Sequence, residues 1–395
     1  MKELYNKLKS ELMDSCIPFW LTNAQDREHG GIINCLDREG KVYSEDKSVW
    51  MQGRAGWMFS YIYNHIDQKE EYLNFAKSCI DFAAEHCIDS DGRMFFTVTR
   101  DGRPLRKRRY WFSETFYIMA NAEYYMATKD SAYLKTAQKY FDFVYGMYKD
   151  PQTDPYKITP KSYAETRNTK TLANPMILMN VASIMRDADQ ERFSYYDGII
   201  TDLIKDIQCF YKPEYKAMFE NINAEDNSVI LNTATCRVIN PGHDIECAWF
   251  LLEEAERRQD AALIKFAAQV FDDAFALGWD KEYGGILYFK DILGLPVEAY
   301  EHDMKLWWPH NEAMIASLML YRITNDKKYW DIFNQVSEYA FAHFSDREYG
   351  EWFGYLRRDG LPTEPACKGH TYKGPFHVMR MLAKCMQLLE DCPKA

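Results

Sequence analysis

The sequence predicts an all-α toroid, six helical hairpins closed into a ring with short β-hairpins in the loops. Three observations predict it. A polar residue opens an apolar, helix-like stretch six times, at Arg54, Glu114, Asn174, His243, His310 with Glu312, and His377, spaced 60 to 69 residues apart in a chain of 395. A period near one sixth of the length fits a ring of two-helix units and aims one polar group per unit at a common axis. Paired turn signals recur with the same period, and the apolar residues that follow them have helical spacing.

The first segment, MKELYNKLKSELMDSCIPFW, reads as an amphipathic helix. Glu3, Lys7, Lys9, Glu11 and Asp14 deny it the apolar centre of a signal peptide. His29-Gly30-Gly31, Asp91-Gly92-Arg93, Glu282-Tyr283-Gly284-Gly285 and Glu348-Tyr349-Gly350-Glu351 then each precede a short aromatic or β-branched run. Each run meets a second turn, at Arg38-Glu39-Gly40, Arg100-Asp101-Gly102, Leu293-Gly294 and Arg358-Asp359-Gly360. Strand, turn and strand make a hairpin signature. The third and fourth units are less regular, with Asp154-Pro155-Tyr156 and Glu214-Tyr215-Lys216 in the equivalent places.

Helices follow these turns. After His243, Ile245, Ala248, Trp249 and Leu252 share one face, and after His377, Val378, Met381, Leu382, Cys385 and Leu389 do the same. Pro241-Gly242 and Gly374-Pro375 stand just before, so both histidines fall at helix N-termini, where they can line a cavity mouth.

No linker or low-complexity run divides residues 1–395, so one catalytic domain is expected. The formal charge of -11 argues against nucleic acid as a partner. The basic run Arg103 to Arg109 reads as a solvated hairpin arm, with an anion or phosphate contact as its alternative. No segment approaches the roughly 18 to 20 apolar residues that span a bilayer. Ten scattered cysteines without a C-x-x-C pair favour reduced thiols and a cytoplasmic location.

The chemistry concentrates in four stretches, one of them Trp50-Met51-Gln52-Gly53-Arg54. His243 and Glu246 stand at i, i+3, so the carboxylate can orient the imidazole and raise its basicity. His377 and Arg380 repeat that spacing. In Trp307-Trp308-Pro309-His310-Asn311-Glu312, aromatic surface suited to a sugar precedes a histidine and a carboxylate. His243 and His377 are two units apart and can flank one substrate from different sides. Two imidazoles so placed suit inversion of a stereocentre next to a carbonyl, one removing a proton and the other returning it. Arg54 or Arg380 can stabilise the enolate between the steps. No phosphate loop, dinucleotide fingerprint, H-E-x-x-H or G-x-S-x-G motif is present, and the histidines lack the local spacing of a metal site, so no metal or redox cofactor is called for. A glycoside hydrolase using two of Glu114, Glu246 and Glu312 stays open.

Over nearly its whole length the sequence resembles the N-acylglucosamine 2-epimerase family. The resemblance is carried by HGGIINCLDREGKVY (29–43), VWMQGRAGWM (49–58), FSETFYIMA (112–120), LANPMIL (172–178), NPGHDIECAWFLLEEA (240–255), KLWWPHNEAMIA (305–316), EWFGYLRRDG (351–360) and KGPFHVMRML (373–382). It implies an (α/α)6 barrel that interconverts N-acetyl-D-glucosamine and N-acetyl-D-mannosamine. It further implies His243 and His377 as the catalytic acid/base pair and Arg54, Glu246, Glu312 and Arg380 as polar active-site groups. Asn174 matches a sugar-contacting asparagine of related epimerases, and Trp308 falls among the substrate-binding residues. A homodimer, and ATP as an activator that takes no part in the chemistry, are the implied partners. Mannose and cellobiose enzymes share part of this pattern, so a 2-epimerase or aldose-ketose isomerase acting on a neutral sugar is the alternative. Cellobiose epimerases tend to carry a further histidine where this chain has Leu178.

Overall fold

The computed structural model describes residues 1–108, 110–156 and 162–392. Twelve helical segments form two concentric rings. Helix α1 runs through Lys2–Ser10, a π-helical stretch Glu11–Cys16 and Ile17–Asn23, and is followed by α2 (Val49–His65), α3 (Glu70–His86), α4 (Phe112–Thr128) and α5 (Ser131–Lys149). Then come α6 (Ala173–Ala188), α7 (Phe193–Gln208), α8 (Pro241–Arg258), α9 (Ala261–Gly278), α10 (Trp307–Thr324), α11 (Lys327–His343) and α12 (His377–Glu390). The even-numbered helices pack in sequence order as the inner ring; α12 meets α2, and α1 packs outside α12 to complete the sixth hairpin. This is the (α/α)6 architecture expected from the period.

The burial pattern sorts the two rings. In α10 every residue from Trp307 to Tyr321 is buried, whereas α9 buries Leu263, Ala267, Val270, Phe271, Ala274 and Gly278 along one stripe and leaves its other residues partly or fully exposed. Inner helices approach closely where side chains vanish: a Cβ on Gly53 of α2 would lie 2.6 Å from the Phe116 backbone of α4.

The two ends of the ring differ. Three inner helices turn outward through two residues. Lys129, Gln259 and Asn325 adopt left-handed conformations, and Asp130, Asp260 and Asp326 then cap the next helix by accepting from its first N–H groups. The return connections are long and carry the β-structure, so the N-termini of all six inner helices open toward the ladder end.

The glycine turns are where the sequence places them: Gly30, Gly31, Gly92, Gly284, Gly285 and Gly350 have positive φ, as do Gly40, Gly102, Gly294 and Gly360 in the second set. Strand pairing departs from the expected local hairpin in one case of the four. Cys35–Leu36 with Val42–Ser44 and Thr97–Val98 with Pro104–Arg106 are local hairpins. Tyr355–Leu356 bridges Pro362 across its own turn and also pairs with Lys305–Leu306, as Thr97–Val98 also pairs with Lys47–Ser48, whereas Lys290–Asp291 pairs with Val238–Ile239 instead. Those strands join neighbouring units because the segment entering each inner helix offers an open edge.

Charge interlocks the units as well. Asp26, Asp280 and Asp346 each receive a lysine from the segment before an inner helix and an arginine from the next unit's second turn: Lys47 and Arg100, Lys305 and Arg358, Lys368 and Arg38. The Arg38–Asp346 pair, 2.8 Å apart, joins the first unit to the last. Among the described residues there is no disulfide, and no helix is long and apolar enough to cross a membrane.

Candidate active site

A cavity of about 370 Å³ lies among the inner helices and is lined by Arg54, His243, Glu246, Trp308, His377 and Arg380, six of the eight residues singled out from sequence. A seventh, Glu312, is fully buried behind it. The eighth, Asn174, falls outside. It borders a separate recess with Trp111, Tyr148 and Lys170, and Asn180 faces the cavity in its stead. The cause is helical rotation: Ala173, Met176, Ile177 and Asn180 of α6 share the inward face, and Asn174 is turned off it by about 100°. Leu178 is in the core.

His243 is the third residue of α8. Asn240 caps that helix, its side chain accepting from the His243 N–H. The imidazole Nδ1 stands 2.7 Å from Oε1 of Glu220. The expected partner, Glu246, is engaged elsewhere. Glu220 sits between two ladders, after the hairpin strand Ala217–Met218 and before Asn221–Asn223, which pairs with Thr169–Thr171. Its backbone oxygen also accepts from the Leu172 N–H, so the carboxylate is aimed by backbone fixed on both sides. Burial alone lowers the His243 pKa, but Glu220, with Glu246 and Glu312 beyond, outweighs it and raises the value above ordinary.

His377 opens α12, and its Nδ1 lies 2.6 Å from Oε1 of Glu312. Trp249 donates its indole N–H to the other oxygen of Glu312 at 2.7 Å. Arg380 donates to Glu246 at 2.6 Å and to Glu312 at 2.8 Å. Burial, then the guanidinium charges of Arg380 and Arg54, drive the His377 pKa well below ordinary. The two imidazoles are therefore pushed in opposite directions, His243 toward its charged form and His377 toward its neutral one. A hydrogen on Nδ1, directed at a carboxylate, leaves Nε2 of each ring for a bound molecule: a lone pair on His377 and an N–H on His243.

The indole of Trp308 spans them, its centroid 5.2 Å from that of His243 and 6.0 Å from that of His377. Gly242 makes room for it, since a Cβ there would meet Trp308 at 2.6 Å. Arg54 donates to the Tyr372 backbone oxygen at 3.1 Å and packs on Phe116 and Phe376. Burial lowers its pKa to about 9, which leaves it charged at neutral pH. Nε of Arg54 and Nε of Arg380 are buried without an acceptor among the described residues. Glu246, Glu312 and His377 bring one ligand atom each within 4.8 Å of one another, a spacing a cation would accept. The guanidinium of Arg380 already supplies positive charge between those carboxylates.

Two axial polar groups read from sequence are structural. Glu114 accepts from the Arg93 guanidinium at 2.6 Å and from the Met94 N–H at 2.8 Å. His310 accepts from the Ile286 N–H at Nε2 and contacts the Leu306 oxygen at Nδ1, and burial first, with Lys305 and His343 adding to it, takes its pKa down to about 3. The basic run also departs from a solvated arm: Arg108 lines the cavity, while Arg109 lies outside the described residues. Sequence reasoning missed Glu220, Trp249, Asn180 and Tyr372. The GHDIE stretch draws attention to the nearer Glu246, and nothing periodic marks Glu220.

Residues 31–379 match the family described as N-acylglucosamine 2-epimerase (GlcNAc 2-epimerase). The chain is similar to N-acylglucosamine 2-epimerase of Bos taurus, 38% identical over 391 residues that cover 96% of this chain and 90% of that protein. It is 36% identical to the Rattus norvegicus protein of the same name, covering 98% of this chain and 92% of that one. In three dimensions it is similar to the solved cellobiose 2-epimerase from Bacillus thermoamylovorans B4167. The TM-score is 0.84 at 21% identity, covering 98% of this chain and 100% of that one.

Proposed function

This chain belongs to the N-acylglucosamine 2-epimerase family, and from that premise we propose that it interconverts N-acetyl-D-glucosamine and N-acetyl-D-mannosamine at C2 of the ring-opened sugar. The observation that carries the proposal is the pair of imidazoles, each tied at Nδ1 to a carboxylate and bridged by Trp308. The amino-sugar branch is favoured by the 38% identity to the Bos taurus protein and by Leu178 in place of a further histidine.

The pyranose opens to an aldehyde at C1, which acidifies the C2 hydrogen. His377, neutral at rest, removes that proton through Nε2. The charge that gathers on the C1 oxygen is met by Arg54 and Arg380, whose buried Nε groups lack other acceptors. His243, whose charged form Glu220 favours, then delivers a proton to the opposite face, and ring closure gives the epimer. The reverse direction uses the same groups in exchanged roles. Glu220 and Glu312 hold the rings, and Glu246 holds Arg380.

Residues 1–395 are taken as one catalytic domain, which the unbroken composition supports, and as cytoplasmic, which the scattered cysteines support; a homodimer and ATP as an effector outside the chemistry are supported by the family resemblance. Proton NMR of the protein with N-acetylmannosamine in heavy water, with and without ATP, tests the whole. Appearance of N-acetylglucosamine deuterated at C2 is expected. Turnover of mannose or cellobiose instead moves the substrate to the neutral-sugar branch, and accumulation of a ketose makes the chain an isomerase.

A further inference from the structure

Most arginines near this end of the barrel are ion-paired, in keeping with an acidic chain: Arg38, Arg93, Arg100, Arg237, Arg358 and Arg380 all meet carboxylates. The pattern breaks at the cavity mouth. Arg108 lies 3.8 Å over the ring of Phe96 and donates to the hydroxyl of Tyr372 at 2.6 Å. Arg106 stands over the same ring at 5.6 Å, and Arg54 is held by the backbone oxygen of Tyr372. Lys107, between the first two, turns away to Asp89 and Asp91. Phe96 and Tyr372 are themselves 5.9 Å apart, so Arg106 and Arg108 share the first ring, while Arg54 is tied to the backbone of Tyr372 and packs on Phe116 and Phe376. Among the described residues none places a carboxylate within ion-pairing distance of these three. Guanidiniums that lack a direct ion pair favour an oxyanion, and guanidiniums beside a hydroxyl are suited donors for phosphate.

We propose that Arg108, with Arg54 and the Tyr372 hydroxyl, forms an oxyanion subsite at the mouth of the catalytic cavity, which takes phosphate either free or as the ester of an amino sugar. A phosphorylated sugar seated there occupies the cavity and excludes the neutral one. The subsite is defined by side chains at the mouth and goes beyond the epimerase reading, so it is measured by binding without turnover.

The test is isothermal titration calorimetry of the full chain, at constant ionic strength in chloride, with N-acetylglucosamine, N-acetylglucosamine 6-phosphate and inorganic phosphate. The ester is expected to bind about tenfold or more tightly than the uncharged sugar, the scale of one charge-assisted contact. Arg108→Gln is expected to remove that advantage and Arg108→Lys to keep part of it, which separates loss of charge from loss of fold. Displacement of the ester by inorganic phosphate supports a site for the free anion. An ester advantage without phosphate binding supports a site for the phosphorylated sugar. An ester that binds no better than the uncharged sugar, or an advantage that survives Arg108→Gln, overturns the proposal. Ester binding without epimerisation of N-acetylmannosamine would remove the functional reading and leave this one standing.

Discussion

Glu220 lies 2.7 Å from Nδ1 of His243, although a loop and two short ladders separate the two along the chain. That contact, with Glu246 and Glu312 beyond, overcomes the burial that would otherwise favour a neutral ring, and it makes the two imidazoles of the cavity unlike. His377 must be neutral and His243 protonated in the productive form. Activity should therefore rise through a His377 pKa below the ordinary histidine value and fall through a His243 pKa above it. Glu220→Gln should move the alkaline limb of kcat/KM to lower pH and reduce kcat roughly tenfold or more. A pH profile with its alkaline limb unmoved would reduce Glu220 to a structural part.

The proposed mechanism gives each histidine one face of the sugar. His243→Asn should lower epimerisation by about 10² to 10⁴-fold, the usual share of a positioned acid or base. It should still exchange the C2 hydrogen of one epimer with heavy water through His377, and His377→Asn should exchange only the other epimer. NMR of each pure sugar with each variant reads this directly. Exchange of both epimers by either variant would mean that one base serves both faces.

Gly242→Ala puts a methyl group against Trp308 and against the Pro309 ring, at 2.6 and 2.9 Å. The indole must shift, and overpacking of this kind costs about 1 to 3 kcal/mol. KM should rise more than Tm falls, because the displaced ring touches both imidazoles. Steady-state kinetics beside a melting curve decides it.

Asp346 is almost fully buried against Arg38 and Lys368, which overcome its burial and lower its carboxyl to about 2. Its folded pKa lies below the unfolded one, so its stabilisation is present above the unfolded value near 4 and lost as pH falls toward 2. Asp346→Asn should destabilise by roughly 2 kcal/mol at pH 7 and progressively less in acid. Urea melts at pH 7, 4 and 3 would show the two proteins converging.

The segment that enters α12 is pinned by a buried pair, Lys373 to Glu351 at 2.8 Å, and Trp20 holds the other oxygen of Glu351. Lys373→Met alone should cost about 3 to 5 kcal/mol, because it strands a buried carboxylate. Adding Glu351→Gln should recover part of that loss in Tm. Equal melting of the single and double variants would show that the charge is not what matters.

The six-unit period was legible because each inner helix repeats one apolar pattern after one pair of turns. His243 and His377 were legible because chain breakers mark them as first-turn residues. Glu114 and His310 occupy the same register yet serve the scaffold, since the register says only that a residue lies near a helix start. Asn174 missed the cavity by one position, a rotation that sequence spacing does not resolve without the tilt of α6.

Sequence alone determined the ring, its turns and the placement of His243 and His377 at helix starts, because hydrophobic period, backbone conformation and helix starts are local properties of the chain. Only the tertiary structure decided which carboxylate serves which imidazole, that Arg380 ties Glu246 to Glu312, and that Arg108 faces inward. Those choices join residues on different hairpins, and the closing of the ring sets the distances between them.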